Sequence, residues 1–172
     1  RMKMADVIDS DSRLLAVVPR MGMGFGFGEE SVEEVCRRYG VSTGAFLAIC
    51  RVYAYGDAGT LAQSLQEEYI RDIVSYLRRS HAHYGEVVAS RLTISLDKLM
   101  ESCDQRCRQI ISKFFGEYME ELKRHFTYED KVVFPYVDSV LNHTGKADYN
   151  ILQYEENHSN VDEKLADLKN IL

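Results

Sequence analysis

Imidazole and carboxylate groups at helical spacing give this 172-residue sequence its clearest capacity for chemistry. In the run His125-Phe126-Thr127-Tyr128-Glu129 the two groups stand four residues apart, on one face of a helix. A nitrogen and an oxygen donor one turn apart suit iron, manganese or zinc, and the carboxylate can bridge two ions. Leu122 and Val132 or Val133 flank the pair, which favours an inward orientation. His81 and His158 recur in the same way among apolar residues of two other segments. A single histidine on an apolar face is ordinarily a core residue bonded to a neighbour. Three on separate helices would leave several buried nitrogens to satisfy, and a shared metal ion satisfies them together. Asp162, four residues after His158, is a reserve ligand. His83, two residues from His81, is turned about 200° from it, and His143 falls in a turn-rich stretch. Both are expected at the surface.

Long helices must carry these groups. Ile70, Ile73, Val74, Leu77, His81, Tyr84, Val88 and Leu92 recur at steps of three and four, which predicts a helix from about Ser64 to Arg91. A second is predicted from about Ser95 to Leu141, with Tyr118, Leu122, His125, Glu129 and Tyr136 on one face and Pro135 expected to kink it or remove a hydrogen bond. After the turn-rich 142–148, a third helix carries Tyr154, His158, Val161, Leu165 and Leu168. Tyr118, Tyr128 and Tyr154 are expected in the core.

The first third has a different texture. It holds most of the glycines and three short helical patterns, Asp11 to Val18, Ser31 to Tyr39 and Ser42 to Tyr55. MGMGFGFGEE reads as a turn ending at Ser31, an N-cap with Glu34 three residues on. It has no Lys-Ser/Thr after its last glycine and follows no strand, so it is neither a P-loop nor a dinucleotide fingerprint. The division expected is 1–58, a small helical domain, and 61–172, a helical bundle.

A net charge of -6, from 21 Lys+Arg against 27 Asp+Glu, argues against coating nucleic acid or an anionic membrane. Apolar runs fall short of the roughly 20 residues that cross a bilayer, and no charged-then-apolar leader opens the chain, so a cytoplasmic protein is expected. Cys36, Cys50, Cys103 and Cys107 form no CxxC pair, which leaves a structural zinc site without support. Cys103 and Cys107 are expected as reduced thiols one turn apart on a helix.

The stretches SYLRRSHAHY, RHFTYEDKVVFPYV and YEENHSNVDEKLADLKNIL resemble the first three helices of a haemerythrin-like HHE domain, and more closely the di-iron proteins called repair of iron centres. LLAVVPRMGMGFGFGEESVEEVCRRYGVSTGAFLAI resembles the small helical domain that precedes the bundle in that family. The resemblance implies an all-α chain in which His81 is the first-helix ligand, His125 and Glu129 the second-helix HxxxE, and His158 the third-helix ligand. It further implies a non-haem di-iron centre, binding of oxygen or nitric oxide, and a role in restoring iron-sulfur proteins after nitrosative or oxidative damage. The family's fourth helix, with another HxxxE, has no counterpart before Leu172, so four ligands stand where six are expected. Three amphipathic helices leave an apolar groove, and a homo-oligomer that fills it is expected. Many relatives carry adjacent cysteines in the glycine-rich turn; this chain has none there.

Two other readings compete. SVEEVCRRYGVSTGAFLAICRVY has the outline of a helix-turn-helix, but residues 1–60 hold seven Lys+Arg against eight Asp+Glu, too little positive charge for phosphate neutralisation. The alternative is a metal-free helical scaffold whose histidines bond to neighbouring side chains. No local Ser/His/Asp or Cys/His signature marks a hydrolase.

Overall fold

A computed structural model of the chain describes residues 2–56, 66–144, 165–166 and 168–170. The chain forms two compact units, Arg1–Ser80 and His81–Leu172. Among the described residues every regular element is helical, apart from one isolated antiparallel bridge between Lys3 and Ser31. None of these helices is long and apolar enough to cross a membrane.

In the first unit, α1 (Met4–Ser10) is followed by a 3-10 turn (Ser12–Ala16), α2 (Val17–Arg20), α3 (Val32–Tyr39) and α4 (Thr43–Tyr55). Helix α1 is absent from the apolar pattern and has no side-chain cap. Backbone bonds at its start hold it instead, Met4 N–H to Glu30 O at 3.0 Å and Val32 N–H to Met2 O at 3.1 Å. The single helix expected over Asp11 to Val18 divides into the 3-10 turn and α2, with the Asp11 carboxylate accepting from Arg13 N–H at 3.0 Å. Gly22 follows at φ 79°, a left-handed position open to glycine at no steric cost.

Ser31 caps α3 as expected, and Glu34 Oε2 reciprocates by accepting from Ser31 N–H at 2.9 Å. Ser42 caps α4, and its N–H donates to Asp72 Oδ2 at 2.6 Å. Met4, Val17, Val18, Val35, Cys36 and Phe46 are wholly buried between these helices, and Ile73, Tyr76 and Leu77 of α5 (Glu67–Ala82) complete the core.

Helix α5 continues into a π-helical turn (His83–Val88) and α6 (Ala89–Met100), so the first long helix runs nine residues beyond the expected end at Arg91. The chain reverses at 101–104, and α7 (Gln105–Tyr128) starts where Asp104 Oδ1 accepts from Cys107 N–H at 2.8 Å. Residues 95–100, expected in the second helix, thus close the first. Cys103 lies in the turn rather than on a helix with Cys107, and its carbonyl is clamped by Arg108 Nε at 2.9 Å. The expected stripe also shifts: Tyr84 and Leu92 are 38% and 42% exposed, because the wide turn over 83–88 resets the helical phase between them.

Helix α7 passes into a second π-helical turn (Glu129–Val133) and then α8 (Phe134–Leu141). Phe134 N–H donates to Glu129 O, five residues back. Pro135 has no N–H, and in an α-helix its ring would press on the Lys131 carbonyl. The helix answers by widening ahead of the proline, not by breaking. Residues 165–166 and 168–170 are helical, with Leu168 buried. Tyr154, His158 and Asp162 lie outside the described residues.

Candidate metal centre

The end of α5 and the end of α7 meet at three of the four expected ligands. Glu129, 5% exposed, lies one α-helical turn past His125, and its Oε2 is 3.6 Å from His125 Nε2. The same oxygen is 2.8 Å from His81 Nε2, across 48 residues of sequence. Two imidazole nitrogens therefore face one carboxylate oxygen. His81 and His125 side chains are 9% and 10% exposed, so the contact is shielded from water.

The His81 ring is held on its faces as well as its edges. Phe126 stacks on it at 4.3 Å between centroids and 16° between planes, and Phe134 at 5.4 Å and 18°. Its Nδ1 is 3.2 Å from Asp130 Oδ1. In the tautomer that carries its proton on Nδ1, that nitrogen donates to the Asp130 carboxylate and leaves the Nε2 lone pair on the side of Glu129.

Donors that share one metal at about 2.1 Å stand about 3 Å apart when at right angles. The His81–Glu129 separation falls at that value and the His125–Glu129 separation a little beyond it. In donor type the set suits a metal of the iron, manganese or zinc class. Among the described residues, no group of three or more histidine, cysteine or carboxylate side chains is already drawn into a geometry that would hold an ion. His158, the fourth expected ligand, is outside the described residues.

Other groups stand apart from this cluster. His143 is exposed, at φ 54°, and His83 is half-buried with its ring edge-on to Tyr84. The Tyr128 hydroxyl is buried with no hydrogen-bond partner among the described residues. Beside Phe126, a groove of about 260 Å³ is lined by Tyr84, Val88, Leu92, Tyr118 and Leu122. All four cysteines are free thiols; burial pushes Cys50 up to about 12 and raises Cys36, while a bond from Cys103 raises Cys107.

Sequence patterning missed Asp130, Phe126 and Phe134 as groups that touch His81. Asp130 directly follows Glu129, and α-helical geometry would turn it about 100° away. Within the π-helical turn each residue rotates less about the axis, which lets two successive acids reach one imidazole.

No curated protein and no solved structure matches the chain. Residues 72–172 match the family model described as Hemerythrin HHE cation binding domain, a span that takes in His81, the HxxxE of His125 and Glu129, and His158. That match covers more than half of the sequence and agrees with the all-α architecture. On this ground the chain belongs to the hemerythrin HHE cation-binding family.

Proposed function

We propose that this chain binds non-haem iron as a di-iron centre through His81, His125, Glu129 and His158, and serves in the repair of iron-sulfur proteins damaged by nitrosative or oxidative stress. The observation that carries the metal reading is the convergence of His81 Nε2 and His125 Nε2 on Glu129 Oε2 at 2.8 and 3.6 Å in a shielded setting. Neutral imidazoles supply nitrogen donors, and the carboxylate offsets the metal's charge. Bound iron supplies coordination positions for a diatomic ligand such as oxygen or nitric oxide, or for release of iron to an acceptor. Phe126 both stacks on His81 and lines the adjoining groove, giving a small apolar molecule a path of matching polarity.

Exposed apolar side chains on α6 and α7 support a homo-oligomer: Leu92, Ile94, Leu99 and Ile110 are 42%, 56%, 47% and 39% exposed. The free thiols accord with a reducing, cytoplasmic setting.

Elemental analysis of protein from iron-replete expression tests the metal reading. The expected result is about two irons per complete bundle, lost in His125→Ala and Glu129→Ala while the helical circular dichroism stays near wild type. Unchanged iron in either variant, or a wild-type protein free of metal, rejects the reading in favour of a scaffold.

A further inference from the structure

Asp130 is not among the candidate ligands, yet it contacts one of them. Its Oδ1 lies 3.2 Å from His81 Nδ1, on the ring edge away from Glu129. The two carboxylates therefore bracket one imidazole, and they are adjacent in sequence. An imidazole can donate a metal-binding lone pair from Nε2 only when the ring proton resides on Nδ1, and an acceptor at Nδ1 holds it there. Phe126 and Phe134 restrain the tilt of the ring by stacking, but stacking does not distinguish one nitrogen from the other. The polar contacts at its two edges do, and of these the one at Nδ1 is the one that leaves Nε2 free for a metal ion.

The backbone is built for this pairing. Glu129 and Asp130 open the π-helical turn Glu129–Val133, where the smaller rotation per residue brings both toward the same ring. The Asp130 side chain is 41% exposed against 7% for Glu129, so it reaches the ring edge from the solvent side and contributes little to the packed core.

We infer that Asp130 is a positioning residue for the metal centre: its carboxylate accepts a hydrogen bond from His81 Nδ1–H and so presents Nε2 toward the space shared with Glu129 and His125. This rests on the reading of His81 as a metal ligand. It adds to that reading a residue that binds no metal itself and sets how well its neighbour does.

Anaerobic titration with ferrous iron against a chromophoric chelator tests it, on the full chain and on Asp130→Ala, Asp130→Asn and His81→Ala. Asp130→Ala is expected to weaken iron binding by about 10–100-fold, with the melting temperature of the metal-free protein unchanged. Asp130→Asn, whose amide oxygen still accepts a proton, is expected to lose distinctly less. Wild-type affinity in Asp130→Ala, alongside loss of binding in His81→Ala, overturns the inference and leaves the metal reading standing. A fall in metal-free melting temperature that accompanies weaker binding in Asp130→Ala assigns the residue a structural role and overturns it too. Equal losses in the Ala and Asn variants overturn it by assigning the effect to charge. Unchanged iron binding in His81→Ala rejects the metal reading and this inference together.

Discussion

His81 Nε2 lies 2.8 Å from Glu129 Oε2, and this buried contact ties one long helical rod to the next. It is a polar bond in a setting where an unmet partner is costly. Its strength is therefore measurable apart from any metal.

Replacing Glu129 by Ala removes the buried partner that His81 Nε2 meets at 2.8 Å. The metal-free protein is expected to lose about 1–3 kcal/mol of stability. Glu129→Gln keeps an acceptor in place and is expected to lose less than half as much. Urea unfolding followed by circular dichroism measures both, and equal stability of Glu129→Ala and wild type would show that the contact adds nothing to the fold.

Gly44 sits where α4 passes the Tyr69 ring, and a Cβ there would run into the ring itself. The aromatic side chain is flanked by the core, so it can yield only by shifting α4 or itself. Gly44→Ala is expected to destabilise the first unit by about 1–3 kcal/mol, despite the higher helix propensity of alanine. A denaturation midpoint at or above wild type would contradict the close approach.

Burial holds the Cys50 thiol protonated up to about 12 and raises Cys36 in the same direction. In the unfolded chain both titrate near about 8.5. Between those values the native state keeps protons that the unfolded state has lost, so this stabilisation is complete below about pH 8.5 and declines as the pH rises above it. The expected slope is up to about 1.4 kcal/mol per pH unit for each thiol, reduced in Cys50→Ala. Denaturant titrations at a series of alkaline pH values read it, and identical slopes in both proteins would remove Cys50 as the cause. In the same native protein, Cys103 and Cys107 are partly exposed and are expected to alkylate before the buried pair.

Local signals made much of the fold legible. Ser31 with Glu34 and Ser42 before an apolar run announce α3 and α4 correctly, because each cap satisfies backbone groups within its own helix. Helix α1 has no such signal, since its start is fixed by backbone bonds to a segment about 27 residues away. The reversal at 101–104 contains neither glycine nor proline, and Asp104 alone marks it. The four-residue spacing of His125 and Glu129 could be read directly, and their proximity to His81 follows from the helix faces on which they fall. Asp130 could not be placed by the same rule, because a uniform 100° rotation assumes an unbroken α-helix and the turn it occupies is wider.

The widened turn before Pro135 amounts to a surplus residue lodged in the middle of a rod. Part of the centre's alignment is thus encoded by chain length and not by any particular side chain. Shortening the stretch between Asp130 and Phe134 by one position would leave His81, His125 and Glu129 in place while turning Phe134 off the face of the His81 ring, so a relative with one fewer residue there would hold that imidazole differently.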